Sequence, residues 1–339
     1  MRRRHVSLLL SIASASCALM ASAGCFDVRI SLGDDDPQPP HDGGATPLDS
    51  ASADVEVPDG YVPRCNHGSP FQSERTVLGL ESTSVVSARF SVDERTAYLS
   101  VGAPQGGTSG FDLYTAERDT ATDAFGALTK LSVSTNTDDY WPTVAADGLT
   151  MFFESGVPID GSIANTIWFA HRDSVPGTFT ARVPDAFAIV PTRTDAAPYL
   201  LGSSLYWMSI GREGATTMDL WTGEVGANGV VAQVRPVGGT INTTTAGEMF
   251  PVVSADGLEL FFTRETPGSF DDIEVAARVN TSGEFANAVP LGLPVDSASS
   301  SEWPSWISPD DCRLYFIRSD SPNGGYGPWH LWVAERAKP

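Results

Sequence analysis

Basic residues are scarce in this chain: Lys and Arg number 21 against 42 Asp and Glu, for a formal charge of −21. A surface of that sign repels nucleic acid and anionic lipid headgroups, and excludes both as direct partners. Histidine is scarcer still, at positions 5, 41, 67, 171 and 330, with no metal-ligand spacing, and the four cysteines are too few for a zinc site. There is no Gly-x-Ser-x-Gly elbow and no phosphate-cradling glycine loop ahead of a helix. Beyond the first 25 residues no segment sustains a 3.6-residue period, so helices are expected to be few. What is abundant is 32 Gly and 24 Pro in a chain that is 41% hydrophobic, a balance that suits a turn-rich all-β protein. Its 339 residues allow one large domain or two ordinary ones.

Arg2-Arg3-Arg4 and the apolar stretch Val6 to Met20 read as a targeting segment, too short to span a bilayer permanently. Ser22-Ala23-Gly24-Cys25 then resembles the lipobox of bacterial lipoproteins, which implies a signal peptide over residues 1–24 and acylation of Cys25. The alternative is ordinary cleavage after Ala21-Ser22-Ala23, leaving a soluble periplasmic protein. Residues 25–64 include Asp34-Asp35-Asp36-Pro37-Gln38-Pro39-Pro40 and hold too little apolar content to fold. They read as a disordered acidic tether that holds a folded domain, residues 65–339, away from a membrane reached through lipid alone. Without the three leader arginines, 18 basic residues stand against 42 acidic ones, a charge near −24.

One pattern recurs through that domain: an apolar strand, a tight turn, a second apolar strand, a Gly-rich loop, then a third strand that often opens with Asp. Its copies run Ala88 to Asp93 with Ala97-Tyr98-Leu99, Pro142 to Gly148 with Met151-Phe152-Phe153, and Pro198-Tyr199-Leu200 with Leu205-Tyr206-Trp207. Two more run Pro251 to Gly257 with Leu260-Phe261-Phe262, and Ser305 to Asp310 with Leu314-Tyr315-Phe316. The third strands open at 112, 166, 219, 272 and 330, spaced by 54, 53, 53 and 58 residues. Asp-Gly between β-branched and aromatic runs is a hairpin turn, because Gly tolerates positive φ. Strands apolar on both faces are expected between neighbouring blades.

Fourth strands follow at Phe125, Phe179 and Phe285, but none follows the fifth copy; one stands instead at the front, Phe71 to Leu78. Such an offset closes a propeller, because the N-terminal strand completes the last blade. The expected fold is all-β, a five-bladed propeller of four-stranded antiparallel blades. The Pro…Ser-x-Asp-Gly…Tyr-Phe…Asp-Ile-Trp character of these copies is similar to the WD40-like repeat of the TolB type, over residues 71–336. That resemblance implies a β-propeller in the bacterial cell envelope and specifies no ligand. In the closure scheme Cys65 and Cys312 fall near one rim of the last blade, and either form a disulfide or remain two free thiols.

Three residues before the Pro position stand Asp139, Asp195, Glu248 and Glu302, with Val85 in the first copy. They are expected at the mouth of the central tunnel, beside the Gly-rich loops at 105–107, 160–161 and 323–327. Three readings stay open: carboxylates that cap amides or pair with Arg118, Arg172, Arg278 or Arg336; a Ca²⁺ site; or the acids of a glycoside hydrolase. Tyr140, Trp141, Trp303, Trp306, Tyr326 and Trp329 lie near the same rim, and either stack on sugar rings or fill the inter-blade core. No cofactor is expected, with Ca²⁺ as the one candidate. The sequence is thus read as a monomeric, non-catalytic envelope lipoprotein that binds a protein or glycan, the alternative being a carbohydrate-active hydrolase working in the central cavity.

Overall fold

A computed structural model describes residues 64–102, 110–159, 162–175, 177–183, 185–265, 270–319 and 328–337. The leader, Cys25, the tether up to residue 63, Tyr326 and the Gly-rich loops at 105–107, 160–161 and 323–327 lie outside the described residues.

Strand β1 (Phe71–Thr76) precedes four complete blades. The first blade is β2 (Val85–Phe90), β3 (Thr96–Gly102), β4 (Phe111–Glu117) and β5 (Thr129–Lys130). The second is β6 (Asp139–Val144), β7 (Thr150–Ile159), β8 (Ser162–His171) and β9 (Thr180–Arg182). The third is β10 (Thr194–Leu201), β11 (Ser204–Ile210), β12 (Asp219–Val225) and β13 (Val231–Pro236). The fourth is β14 (Glu248–Val253), β15 (Glu259–Arg264), β16 (Asp272–Ala277) and β17 (Ala286–Pro290). The fifth is β18 (Glu302–Ile307), β19 (Arg313–Ser319) and β20 (Trp329–Arg336), and β1 completes it by pairing antiparallel with β20. The first strands of successive blades touch in a closed circuit, β2 to β6 to β10 to β14 to β18 and back to β2. This is the five-bladed, N-terminally closed propeller expected from the repeat. Among the described residues helix is limited to three 3₁₀ turns, at Asp185–Phe187, Arg212–Gly214 and Ala227–Gly229.

The second strands carry the core. Phe152, Phe153, Phe261, Phe262, Leu314 and Phe316 are fully buried, because each of these strands is covered on both faces by neighbouring blades. Each such side chain contributes roughly 1.5–3 kcal/mol of burial. The hairpins between first and second strands share one geometry in four blades, the third having a two-residue turn between Leu201 and Ser204. Gly148 N–H donates to Ala145 O and Gly257 N–H to Ser254 O, both at 2.8 Å, with φ of 71° and 75° at the glycines. Glu94 and Asp311 take that left-handed position in the first and fifth blades, at φ 59° and 57°. The preceding Asp braces the turn in all four of these blades by accepting the N–H two residues on.

Arg118, Arg172, Arg278 and Arg336 do not meet the rim acids. Third strands run away from that rim, so these arginines end at the opposite one. There each guanidinium lies 4.3 Å from the ring that opens its blade's fourth strand, Phe125, Phe179, Phe285 and Phe71. Arg118, Arg172 and Arg278 also donate Nε–H to a hairpin carbonyl of their own blade. Several reach the preceding blade as well: Arg118 to the Tyr315 hydroxyl, Arg172 to that of Tyr98, and Arg336 to the Glu259 carboxylate.

The seam between β1 and the fifth blade is reinforced at the same rim. Cys65 and Cys312 form a disulfide with Cα atoms 5.1 Å apart. His67 Nε2 lies 3.1 Å from Asp311 and 3.3 Å from Asp256, and Arg64 spans the same two carboxylates, so this segment also ties the fourth blade to the fifth.

Candidate functional site

The four rim acids stand at the entrances of the innermost strands, but all are buried and none lines the central cavity described below. Asp139 accepts Thr135 N–H at 2.6 Å and the Thr135 hydroxyl at 3.0 Å. Asp195 is held by Arg193 and Arg212 and by the indole N–H of Trp207. Glu248 pairs with Arg264 and accepts both N–H and hydroxyl of Thr243. Glu302 takes Arg318 at 2.8 Å, the Ser300 hydroxyl at 2.6 Å and Ser297 N–H. Burial outweighs these partners and pushes Glu248 and Glu302 up to about 7. Three of the four acids thus pair with arginine, but with Arg193, Arg212, Arg264 and Arg318 from their own side of the blade.

Between them, at the mouth of the channel, is a cavity of about 470 Å³ to which all five blades contribute. Tyr140, Trp141 and Trp303 line it, as does Trp329, and the third strand of the first blade and the first strand of the fourth add Phe111 and Phe250. The rings form a chain: Trp141 stacks on Phe250 at 4.5 Å, Phe250 meets Trp303 at 4.8 Å, and Trp303 meets Trp329 at 3.8 Å. Phe111 packs on Tyr140 at 5.1 Å on another wall. Trp306 is elsewhere. It is four residues along the strand from Glu302, about 13 Å at 3.3 Å per residue, and packs against Phe90 and Tyr315.

Bulges explain how adjacent residues both reach this cavity. Pleated strands send neighbours to opposite faces. In β6 the pairing slips between Tyr140 and Thr143, and in β14 between Met249 and Val252. Trp141 and Phe250 sit at φ 53° and 55° within these slips, a conformation unfavourable for aromatic residues. As a result Tyr140 and Trp141, and likewise Met249 and Phe250, line the same cavity. The preceding blade supports the slips of the second and third blades. Trp141 N–H donates to the Ser87 and Ser100 hydroxyls, and Ala197 N–H, at the third-blade slip, donates to Glu154 at 3.2 Å.

Glu154 is itself part of the cavity wall, and is 4% exposed. It accepts Asn165 Nδ2–H at 2.6 Å and has no cationic partner among the described residues. Burial, unopposed by a cation, pushes its carboxyl up to about 7. Glu265 and Asp271 line the mouth, with Asp271 3.4 Å from the indole nitrogen of Trp303. Sequence reasoning missed these three acids, Phe111 and Phe250. The available signal was departure from the repeat: where the second blade has Glu154, the other four have Ser100, Met208, Thr263 and Ile317.

No family model matches the chain, and no curated protein sequence matches it. Solved structures do resemble it in fold. The GH43_1 enzyme from Xanthomonas citri, solved with xylotriose, is similar at a TM-score of 0.54 and 14% identity, over 78% of this chain and 90% of that one. An endo-arabinase from Bacteroides thetaiotaomicron is similar at 0.49 and 15%, over 78% and 98%. TolB from Acinetobacter baumannii is similar at 0.42 and 14%, covering 74% of this chain, which spans about half (54%) of that protein. What the chain shares with the Xanthomonas citri enzyme, at 14% identity, is the fold alone.

Proposed function

We propose that this propeller is a non-catalytic binding module, held at the bacterial cell envelope through lipid on Cys25, that takes a glycan ring into its aromatic central cavity. The observation that supports this reading most is the convergence of six aromatic rings from four of the blades on one cavity of about 470 Å³. Flat rings present apolar faces to the C–H face of a sugar, and the cavity volume is ordinary for a small-molecule site. The repeat acids favour the same reading, since they are consumed in capping loops and pairing with arginines.

One observation favours a hydrolase instead. Glu154 is a carboxyl in the cavity wall pushed up to about 7, where a general acid operates near neutral pH. Titration of the purified chain with neutral oligosaccharides, following both heat and released reducing ends, separates the two readings. Saturable binding without cleavage, weakened at least about tenfold by Trp303→Ala, is the expected result. Cleavage that disappears in Glu154→Gln establishes the hydrolase, and no response to any glycan moves the search to protein partners.

A further inference from the structure

Three carboxyls line the central cavity and, among its described lining residues, no lysine or arginine does. Glu154 stands in the wall on β7, while Glu265 and Asp271 flank the loop from β15 to β16 at the mouth. Burial raises the Asp271 carboxyl above its ordinary range, and repulsion from Glu265 and Asp272 adds to the rise, so negative charge is crowded there. A cavity lined by aromatic rings and carboxyls, with no lysine or arginine among its described lining residues, disfavours anions and favours a cation that sheds its water easily. Hard metal ions need several oxygens around one point, whereas much of this wall is aromatic carbon and the thioethers of Met208, Met218 and Met249. An organic ammonium meets both requirements.

We infer that the central cavity selects a protonated amine and, within the glycan reading on which this rests, that its ligand is an amino sugar with a free rather than acetylated nitrogen. The sugar's apolar side lies against the aromatic wall, and its ammonium faces Asp271 and Glu265 at the mouth. Acetylation removes the charge and replaces ammonium donors with a single amide N–H, leaving the carboxyls without a counter-charge.

The test is calorimetric titration of the purified chain at about pH 6, where the amine is protonated. The probes are the β-1,4-linked disaccharide of glucosamine and its di-N-acetylated counterpart. The expected result is binding of the free amine at least about tenfold tighter, a preference ratio that shrinks in Asp271→Asn and in Glu265→Gln. Equal or tighter binding of the acetylated disaccharide overturns the charge preference and leaves glycan binding standing. Binding of neither overturns this inference, and the glycan reading then depends on the neutral oligosaccharides alone. The wild-type comparison decides the matter even if a variant fails to fold.

Discussion

At the scale of single residues, burial has set the acids of this molecule to different tasks. Glu154 is the clearest case, because no arginine competes with its desolvation. Its carboxyl moves from 4.5 to about 7 on folding, so the folded chain holds that proton more tightly than the unfolded chain does. The resulting stability is complete below about pH 4.5 and is lost as pH rises through about 7. For a group this deeply buried the loss amounts to about 3 kcal/mol. Urea unfolding between pH 4.5 and 7.5 is expected to show a decline, and Glu154→Gln to flatten it. Some slope remains, because Glu248 and Glu302 are raised in the same direction. A variant that keeps the full wild-type slope would show that Glu154 is ionised throughout. None of this is legible in one dimension, where Glu154 is a single acid in an apolar strand. Its importance comes from the bulge of the next blade, whose Ala197 N–H it accepts.

Individual elements were far more legible than their side-chain directions. Asp-Gly turns, apolar second strands and a phenylalanine at the start of four of the five fourth strands recur in the sequence because each depends on contacts within about one repeat. The bulges do not announce themselves, since Tyr140-Trp141-Pro142 and Met249-Phe250-Pro251 read as ordinary strand residues. The assignment of Arg118 and its counterparts to the rim acids failed for a related reason. It followed residue chemistry without following strand direction, which sends the end of a third strand to the far rim. In their actual position these arginines lock the outer strand to the hairpin. Arg278→Met retains the apolar stem but loses the Nε–H bond to Gly257 O and the charge over Phe285, at an expected cost of about 1–3 kcal/mol. Hydrogen exchange is the measurement of choice: protection should fall in β17 and not at the cavity. Equal loss across all blades would mean that the arginine supports the whole ring rather than one outer strand.

For the molecule as a whole, closure was the most legible feature, since a missing fourth strand at one end and a spare one at the other have a single economical solution. The central cavity was less so, because its wall is assembled from all five blades and no repeat contains it. The closing seam also has a covalent component, joining residues 247 apart in sequence. Cross-linking a loop of that length restricts the unfolded chain by about 5 kcal/mol in the chain-entropy description. Cys65→Ser is therefore expected to lower the urea midpoint, with about 3–5 kcal/mol lost and the folded circular dichroism unchanged. An unchanged midpoint would assign closure to the β1–β20 ladder and the His67–Asp311 contacts alone.

The order of the parts along this seam also decides how it carries load. Cys65 lies before β1, and its partner Cys312 belongs to the hairpin between β18 and β19. A pull arriving from the N-terminal side reaches the sulfur–sulfur bond before it reaches any hydrogen bond of β1. Force then passes directly into the fifth blade, and β1 is shielded from being peeled off its neighbour. The ring can be held by that end without being unzipped from it.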